Sequence, residues 1–512
     1  MIRNSRLRAC ALGAVLVAGG CAARPPVAAA PPSVPPPVAA AEAPPPAPPT
    51  RLETLAASVD GVLATSTFSR ATVGFVVRSL DTGETLYSRN GHTWLVPAST
   101  MKVMTTVAAA SRLGWDFRFE TRLVATGPIL KGVLDGDLIV VGTGDPTINR
   151  HHPDRASTFD DWARALKARG IQRINGHIIG DDSLVEAPGW GIGWAWDDLV
   201  EAYGAAMSAL QYNENVATVT MGPGITPGAP PVVYVSPSNH GLLVDVQATT
   251  SAEGTAPSLV VARQPGTRIL EVRGQAPWGG AAVSTTVAVA NPTIYFTGEL
   301  RQALLRHGIA VDGTAVDIDQ ESDRARASEG TVLLVDQSAP LRDIATEMLA
   351  WSINLYAESL VVALDRTAPG GTAEGVAMLR QVLDDLGVPA GGYTTRDGSG
   401  LSRNDYMSAD TLVAALAAAW RDPVLRDGLL QVLPVTGGPG MLERRLTGTP
   451  AAGRVHAKSG SMSNVRGLTG IVETAAGESL AFAFLANGFD VRGAEIDERV
   501  DALLLTLVAL PR

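Results

Sequence analysis

Apolar and polar positions divide this chain into segments of clearly different period. From Arg51 to Leu63 the apolar residues fall at helical spacing. Ala71–Leu80 is β-branched and apolar, Asp81-Thr82-Gly83 reads as a turn, and Glu84–Ser88 reads as a returning strand, so the three predict a hairpin. A second hairpin is predicted near the C-terminus, with Gly467–Glu473 and Ser479–Asn487 joined around Ala475-Ala476-Gly477, and the chain closes on a helical pattern from Glu495 to Leu510. Strands and helices at both ends predict one antiparallel sheet assembled from both ends and flanked by helices, an α+β architecture. Further helices are expected after Pro97-Ala98-Ser99, running to Gly114, and over Leu341–Trp351.

The middle of the chain, roughly 120 to 335, is rich in Gly, Val and Thr. It offers short strand candidates at Asp137–Val141, His177–Ile179, Val232–Val235, Ser258–Ala262 and Arg268–Val272, with one helix at Asp160–Arg169. A large, mostly β insertion fits this texture, and no repeat of fixed period is found.

The length of 512 residues suggests two to four domains, and 46% apolar with 18% charged residues suits a chain with a sizeable core. A net charge of -10 argues against nucleic acid or an anionic membrane held electrostatically. At the N-terminus, Arg3, Arg6 and Arg8 precede an apolar run from Ala9 to Ala18, the form of an export signal and too short to span a bilayer. It ends Val17-Ala18-Gly19-Gly20-Cys21, which resembles a lipobox with Ala18 where leucine is commoner, so 1–21 reads either as a lipoprotein signal with Cys21 lipidated or as an ordinary cleaved signal. The only cysteines are Cys10 and Cys21, so export brings no disulfide pair. Residues 22–50 are almost all Pro and Ala and read as an extended spacer of about 3.1 Å per residue. The expected location is the cell envelope, in the periplasm, with a lipid anchor at Cys21 as the membrane link.

Candidate chemistry starts from lysine. Only Lys102, Lys131, Lys167 and Lys458 occur among 41 basic residues. A lysine can be tuned to lose its proton near neutrality and an arginine cannot, so a lysine base resists replacement. Lys102 closes Ser99-Thr100-Met101-Lys102, one helical turn from Ser99, where its amine can activate a weak serine nucleophile. Ser352 and Asn354 form a Ser-x-Asn element after a helix, where a second hydroxyl can relay a proton and the amide can orient Lys102. Lys458-Ser459-Gly460-Ser461 lies in an extended run whose edge can take a peptide as an added strand. There Lys458 and Ser459 suit a carboxylate, Gly460 permits close approach, and the N–H groups of Ser461 and Ser99 suit an oxyanion. Each motif alone arises by chance in long chains; the argument lies in their order and local context.

With these motifs the chain resembles the D-alanyl-D-alanine carboxypeptidase/endopeptidase family, the class C low-molecular-mass penicillin-binding proteins. Further runs carry the resemblance: Gly136–Thr147, Trp196–Leu199, Tyr203–Leu210, Asn213–Asn215, Asp397–Arg403, Leu433-Pro434 and Ala457–Ser461. The resemblance spans about 55 to 510. It implies a penicillin-binding/β-lactamase-like catalytic domain in two parts, 51–120 and 336–512, interrupted by an insertion over 121–335. The gap of about 250 positions between Ser99 and Ser352 exceeds that of β-lactamases and accounts for the insertion. The implied activity is cleavage of D-Ala-D-Ala ends and D-Ala cross-links of peptidoglycan through a Ser99 acyl-enzyme that penicillin also forms. Implied partners are stem peptides and β-lactam antibiotics, with no cofactor, no metal and no nucleic acid. Ser459 stands where threonine is commoner and keeps the hydroxyl. The resemblance also brings Asp198, Tyr203 and Arg403 to a pocket for the stem peptide's side-chain end, or alternatively to a structural ion pair or cap.

Other readings stay open at this stage: a β-lactamase or esterase of the same fold, or a non-catalytic envelope scaffold. The seven histidines form no H-E-x-x-H spacing, and no Gly-x-Ser-x-Gly elbow appears. Trp190, Trp194 and Trp196 either pack the insertion or stack on sugar.

Overall fold

Thr50 begins the folded chain as a helix cap. Its hydroxyl accepts the N–H of Glu53 while the Glu53 carboxylate accepts the N–H of Thr50, a capping box that fixes the start of α1 (Arg51–Leu63). The computed structural model describes residues 19–20, 49–149, 152, 154–185, 189–264, 266–320, 329–365 and 371–512. Nearly all of the expected signal, the lipobox cysteine Cys21 and nearly all of the Pro/Ala spacer lie outside the described residues, as does His151. Among the described residues no helix is long and apolar enough to cross a membrane.

Strands β1 (Thr72–Ser79) and β2 (Thr85–Arg89) form the first hairpin. A single 3-10 turn, Ala98–Thr100, leads into α2 (Met101–Leu113), and ten of the thirteen residues of α2 are buried. A helix apolar on nearly every side belongs inside a core. Then come β3 (Glu120–Ala125), β4 (Leu138–Val141), α3 (Thr158–Ala168), β5 (Ile178–Asp181), α4 (Pro292–Arg306), β6 (Ala315–Asp317) and β7 (Thr331–Gln337). α5 (Leu341–Trp351) and α6 (Asn354–Leu364) follow, and the chain ends on β8 (Val455–Met462), β9 (Val465–Glu473), β10 (Ser479–Asn487) and α7 (Gly493–Val508).

The expected sheet from both chain ends is present as five antiparallel strands in the order β2-β1-β10-β9-β8. Thr72 pairs with Asn487 and Ser79 with Leu480, so β1 and β10 run in full register. The two-residue period of β10 serves two cores at once. Ala481, Ala483 and Leu485 join the cluster around α2, α5 and α6, while Leu480, Phe482, Phe484 and Ala486 join the cluster beneath α1 and α7. Each large apolar side chain buried this way contributes roughly 1.5–3 kcal/mol. Strand β8 is left at the sheet's edge.

A second five-stranded sheet, ordered β6-β5-β4-β3-β7, joins the two ends of the 120–337 stretch: β7 lies antiparallel to β3. The pairs β4–β5 and β5–β6 are parallel. Phe159 and Trp162 of α3 pack on Phe296 of α4, with ring centroids 4.8 Å apart for Phe159 and Phe296. The strand candidates near 232, 258 and 268 form as Val232–Ser236, Ser258–Arg263 and Ile269–Pro277. Helix α4 was not expected from the sequence, although Asn291 caps it and Pro292 occupies its first turn.

Candidate active site

Three elements from distant parts of the chain meet at Lys102. Its Nζ lies 2.8 Å from Ser99 Oγ, donates to Asn354 Oδ1 at 2.6 Å and donates to the Ser399 carbonyl at 2.9 Å. Lys102 is fully buried. Burial disfavours its charged form and brings its pKa down to about 7, against the pull of the Asp397 and Glu358 carboxylates. Asn354 begins α6 and donates Nδ2 to the Tyr203 carbonyl at 2.8 Å, so one amide ties the lysine to the 203 segment.

Both catalytic-motif serines sit beside strained backbone. Ala98, just before Ser99, and Ser352 itself hold φ of 47° and 62°. A non-glycine residue in the left-handed region costs about 1–2 kcal/mol, and such strain gathers at functional sites because the surrounding structure over-determines it. Ser99 was expected at the N-terminus of a helix; it sits in the 3-10 turn just before α2, and the three-residue step to Lys102 survives because that turn runs into the helix.

Edge strand β8 lies against this turn. A Cβ on Gly460 would come within 2.8 Å of the Pro97 carbonyl oxygen and 3.1 Å of the Ser99 nitrogen, so glycine lets the strand approach the Ser99 backbone. Gly400 does the same from the other side: its φ is 79°, and a Cβ there would lie 1.9 Å from the Ala98 carbonyl.

A cleft of about 400 Å³ opens over these groups. Ser99, Ser352, Asn354, Ser459 and Ser461 line it, and Asp198, Tyr203 and Arg403 line it too. Tyr203 donates its hydroxyl to Asp198 Oδ1 at 2.9 Å, and Arg403 Nη1 reaches the Ser463 carbonyl at 3.4 Å. Partial burial, then the Asp198 carboxylate, raise the Tyr203 phenol. Lys458 and Gly460 lie beneath the cleft rather than on its wall. Lys458 is fully buried and donates to the Ser459 carbonyl at 2.8 Å, and burial followed by the nearby charge of Lys102 lowers its pKa well below that of a solvated lysine.

Motif reasoning missed the floor of the site. Glu358, Asp397 and Asp405 are buried together below Lys102. Glu358 accepts the N–H groups of Gly398 and Ser399, the latter at 2.9 Å. Asp397 accepts those of Gly400 and Ser402, each at 2.7 Å, and the indole N–H of Trp194 at 2.8 Å. Asp405 accepts the Arg396 N–H at 2.6 Å. Burial and then the Asp397 charge push the Glu358 and Asp405 carboxyls up. This network holds the Asp397–Arg403 loop, whose Ser399 carbonyl fixes Lys102. The sequence signal was the run Asp397–Arg403, noticed only as part of a resemblance.

A serine hydroxyl beside a buried lysine whose pKa is brought to about 7, set against the edge of a two-sided antiparallel sheet, is the arrangement of the penicillin-binding fold. Penicillin binding protein 4 from Haemophilus influenzae superposes with a TM-score of 0.76 at 27% identity, covering 88% of this chain and 98% of that one. The same protein complexed with a novel β-lactam matches at a TM-score of 0.72 and 26% identity. Residues 55–507 match the D-Ala-D-Ala carboxypeptidase 3 (S13) family, and the chain belongs to that family. Among its relatives, a D-alanyl-D-alanine carboxypeptidase of Actinomadura sp. (strain R39) is 34% identical over 86% of this chain and 82% of its own length. A D-alanyl-D-alanine carboxypeptidase of Haemophilus influenzae is 29% identical over 81% of this chain and 85% of its own.

Proposed function

We propose that this protein hydrolyses the terminal D-Ala-D-Ala bond of peptidoglycan stem peptides, and D-Ala cross-links between stems, through an acyl-enzyme on Ser99. The observation that carries the reading is the 2.8 Å contact between Ser99 Oγ and a buried Lys102 held at about 7. Neutral Lys102 takes the Ser99 proton as the oxygen attacks the penultimate D-Ala carbonyl. The N–H groups of Ser99 and Ser461 receive the developing oxyanion. Ser352 relays to the departing amine the proton that Lys102 took from Ser99, so its own hydroxyl is restored; the amine leaves as free D-Ala or as a neighbouring stem, and water then cleaves the ester. Asn354 keeps Lys102 aimed throughout.

The substrate backbone adds to β8 as a strand, with its carboxylate end at the Ser459 hydroxyl and the buried amine of Lys458 close by along the strand. Asp198, Tyr203 and Arg403 take the side-chain end of the stem, where the Asp198 carboxylate suits an ammonium such as that of diaminopimelate. A β-lactam ring presents the same carbonyl and leaves its acyl group on Ser99. We read 121–335 as an insertion that carries the 198–203 wall into a catalytic body made of 51–120 and 336–512. The protein acts in the cell envelope, held there through Cys21 and the Pro/Ala spacer.

Fluorescent penicillin and peptide mapping test this directly. A stable adduct on Ser99, together with D-Ala release lost in Ser99→Ala, is the expected result. D-Ala release that survives in Ser99→Ala overturns the mechanism, and rapid nitrocefin turnover without an adduct assigns a β-lactamase instead.

A further inference from the structure

Neighbouring residues Asp198 and Leu199 line two different clefts, Asp198 the catalytic one and Leu199 a second of about 530 Å³. Trp190, Trp196, Arg263 and Arg268 wall the second cleft. Its volume is that of a small-ligand site. Trp196 is 67% exposed, an unusual degree of exposure for an indole with nothing but solvent to face. Arg263 is mostly buried and bonds through Nη2 to the carbonyls of Ala288 and Val289, yet its Nε and the Trp190 Nε1 are buried without an acceptor. Among the described residues neither Arg263 nor Arg268 has a carboxylate partner. Burying a guanidinium without a counter-charge is costly, and a bound carboxylate would offset that cost. Flat indole faces beside such a pair suit a sugar ring carrying an acidic group.

We propose that this second cleft binds the glycan-proximal end of a muropeptide, with an amino-sugar ring against Trp190 and Trp196 and an adjacent carboxylate on Arg263 and Arg268. The inference rests on the stem-peptide reading of the catalytic cleft. The two clefts share the 198–199 segment as a lining. A stem of about four extended residues spans about 13 Å, and in this proposal it runs past the 198–199 segment to put its D-Ala end at Ser99. The segment 190–204 thus reads sugar on one side and stem on the other.

The test compares D-Ala release from free pentapeptide and from the same peptide on its disaccharide, in the wild type, Trp196→Ala and Arg268→Gln. Both side chains are exposed, so both variants keep the fold. The wild type is expected to show a KM about tenfold lower for the disaccharide form. Each variant should lose that preference while kcat/KM on free pentapeptide stays unchanged. A preference equal in all three proteins, with free-peptide turnover intact, overturns the inference. If the wild type turns over neither substrate, the functional reading fails. Calorimetry with the disaccharide-peptide then decides the second cleft alone: weaker binding to Trp196→Ala supports it, and equal or absent binding refutes it.

Discussion

Replacing Lys102 by methionine separates what the buried amine costs from what it does. In the unfolded chain this lysine titrates near 10.5, and in the folded protein at about 7. Between those values only the unfolded state is protonated, so wild-type stability rises with pH, by about 1.4 kcal/mol per pH unit. At pH 7 the amine thus costs the fold about 4 kcal/mol. Methionine removes that cost but strips a donor from Asn354 Oδ1 and the Ser399 carbonyl, at about 1–3 kcal/mol each. The two effects nearly cancel at pH 7, so the sign of the difference there decides nothing. The pH dependence does decide. From pH 7 to pH 9 the wild type recovers about 2 kcal/mol of lysine cost and the variant recovers none. Removing the cation also pushes the Glu358 carboxyl further up, which moves the difference in the same direction. Urea denaturation at both pH values, followed by circular dichroism, measures it. Wild-type stability should gain about 2 kcal/mol on Lys102→Met, with D-Ala release abolished in the variant. Parallel pH dependences, agreeing within about 0.5 kcal/mol, would refute a lysine held near neutrality.

Acylation should follow the same titration: with Lys102 protonated below about 7, kcat/KM falls about tenfold per pH unit on the acid side, and a flat profile from pH 5.5 to 8 removes Lys102 as the base. Gly400→Ala places a Cβ 1.9 Å from the Ala98 carbonyl at a φ of 79°, so it should lower stability by more than about 1 kcal/mol and suppress penicillin labelling together; a variant with unchanged melting temperature and labelling contradicts the packing described. Asp198→Ala should reduce turnover of amine-bearing stem peptides more than that of a plain acyl-D-Ala-D-Ala, and equal losses on both would show that Asp198 only props Tyr203.

What the sequence made legible was what local chemistry repeats. Period-two runs at both ends announced the sheet, and the spared lysines announced Ser99, Lys102 and Lys458, whose geometry depends on short steps along helix and strand. The carboxyl floor was hidden for the opposite reason. Glu358 sits on a helix and Asp397 and Asp405 flank a glycine-rich loop, and nothing in their neighbours along the chain distinguishes a buried carboxyl from a solvated one. Only tertiary packing makes them a group. Lys458 shows the same limit: its place in an extended run was readable, but its position beneath the cleft depends on how β8 packs against the Ala98–Thr100 turn. Helix α4 is a different kind of omission, since its Asn291 cap and Pro292 were readable signs overshadowed by the β-rich texture around them.

The pairing of β1 with β10 joins residues about 400 positions apart. A ribosome therefore makes Ser99 early and completes the sheet behind it last. Until residue 487 has emerged, β1 has only β2 beside it and lacks β10, β8 has no ordered edge to offer, and Lys102 has not acquired the surroundings that lower its pKa. Closing so long a loop is slow, so activity should appear as a late, all-at-once event in biosynthesis. An unfinished chain would carry the serine and the lysine but not the enzyme.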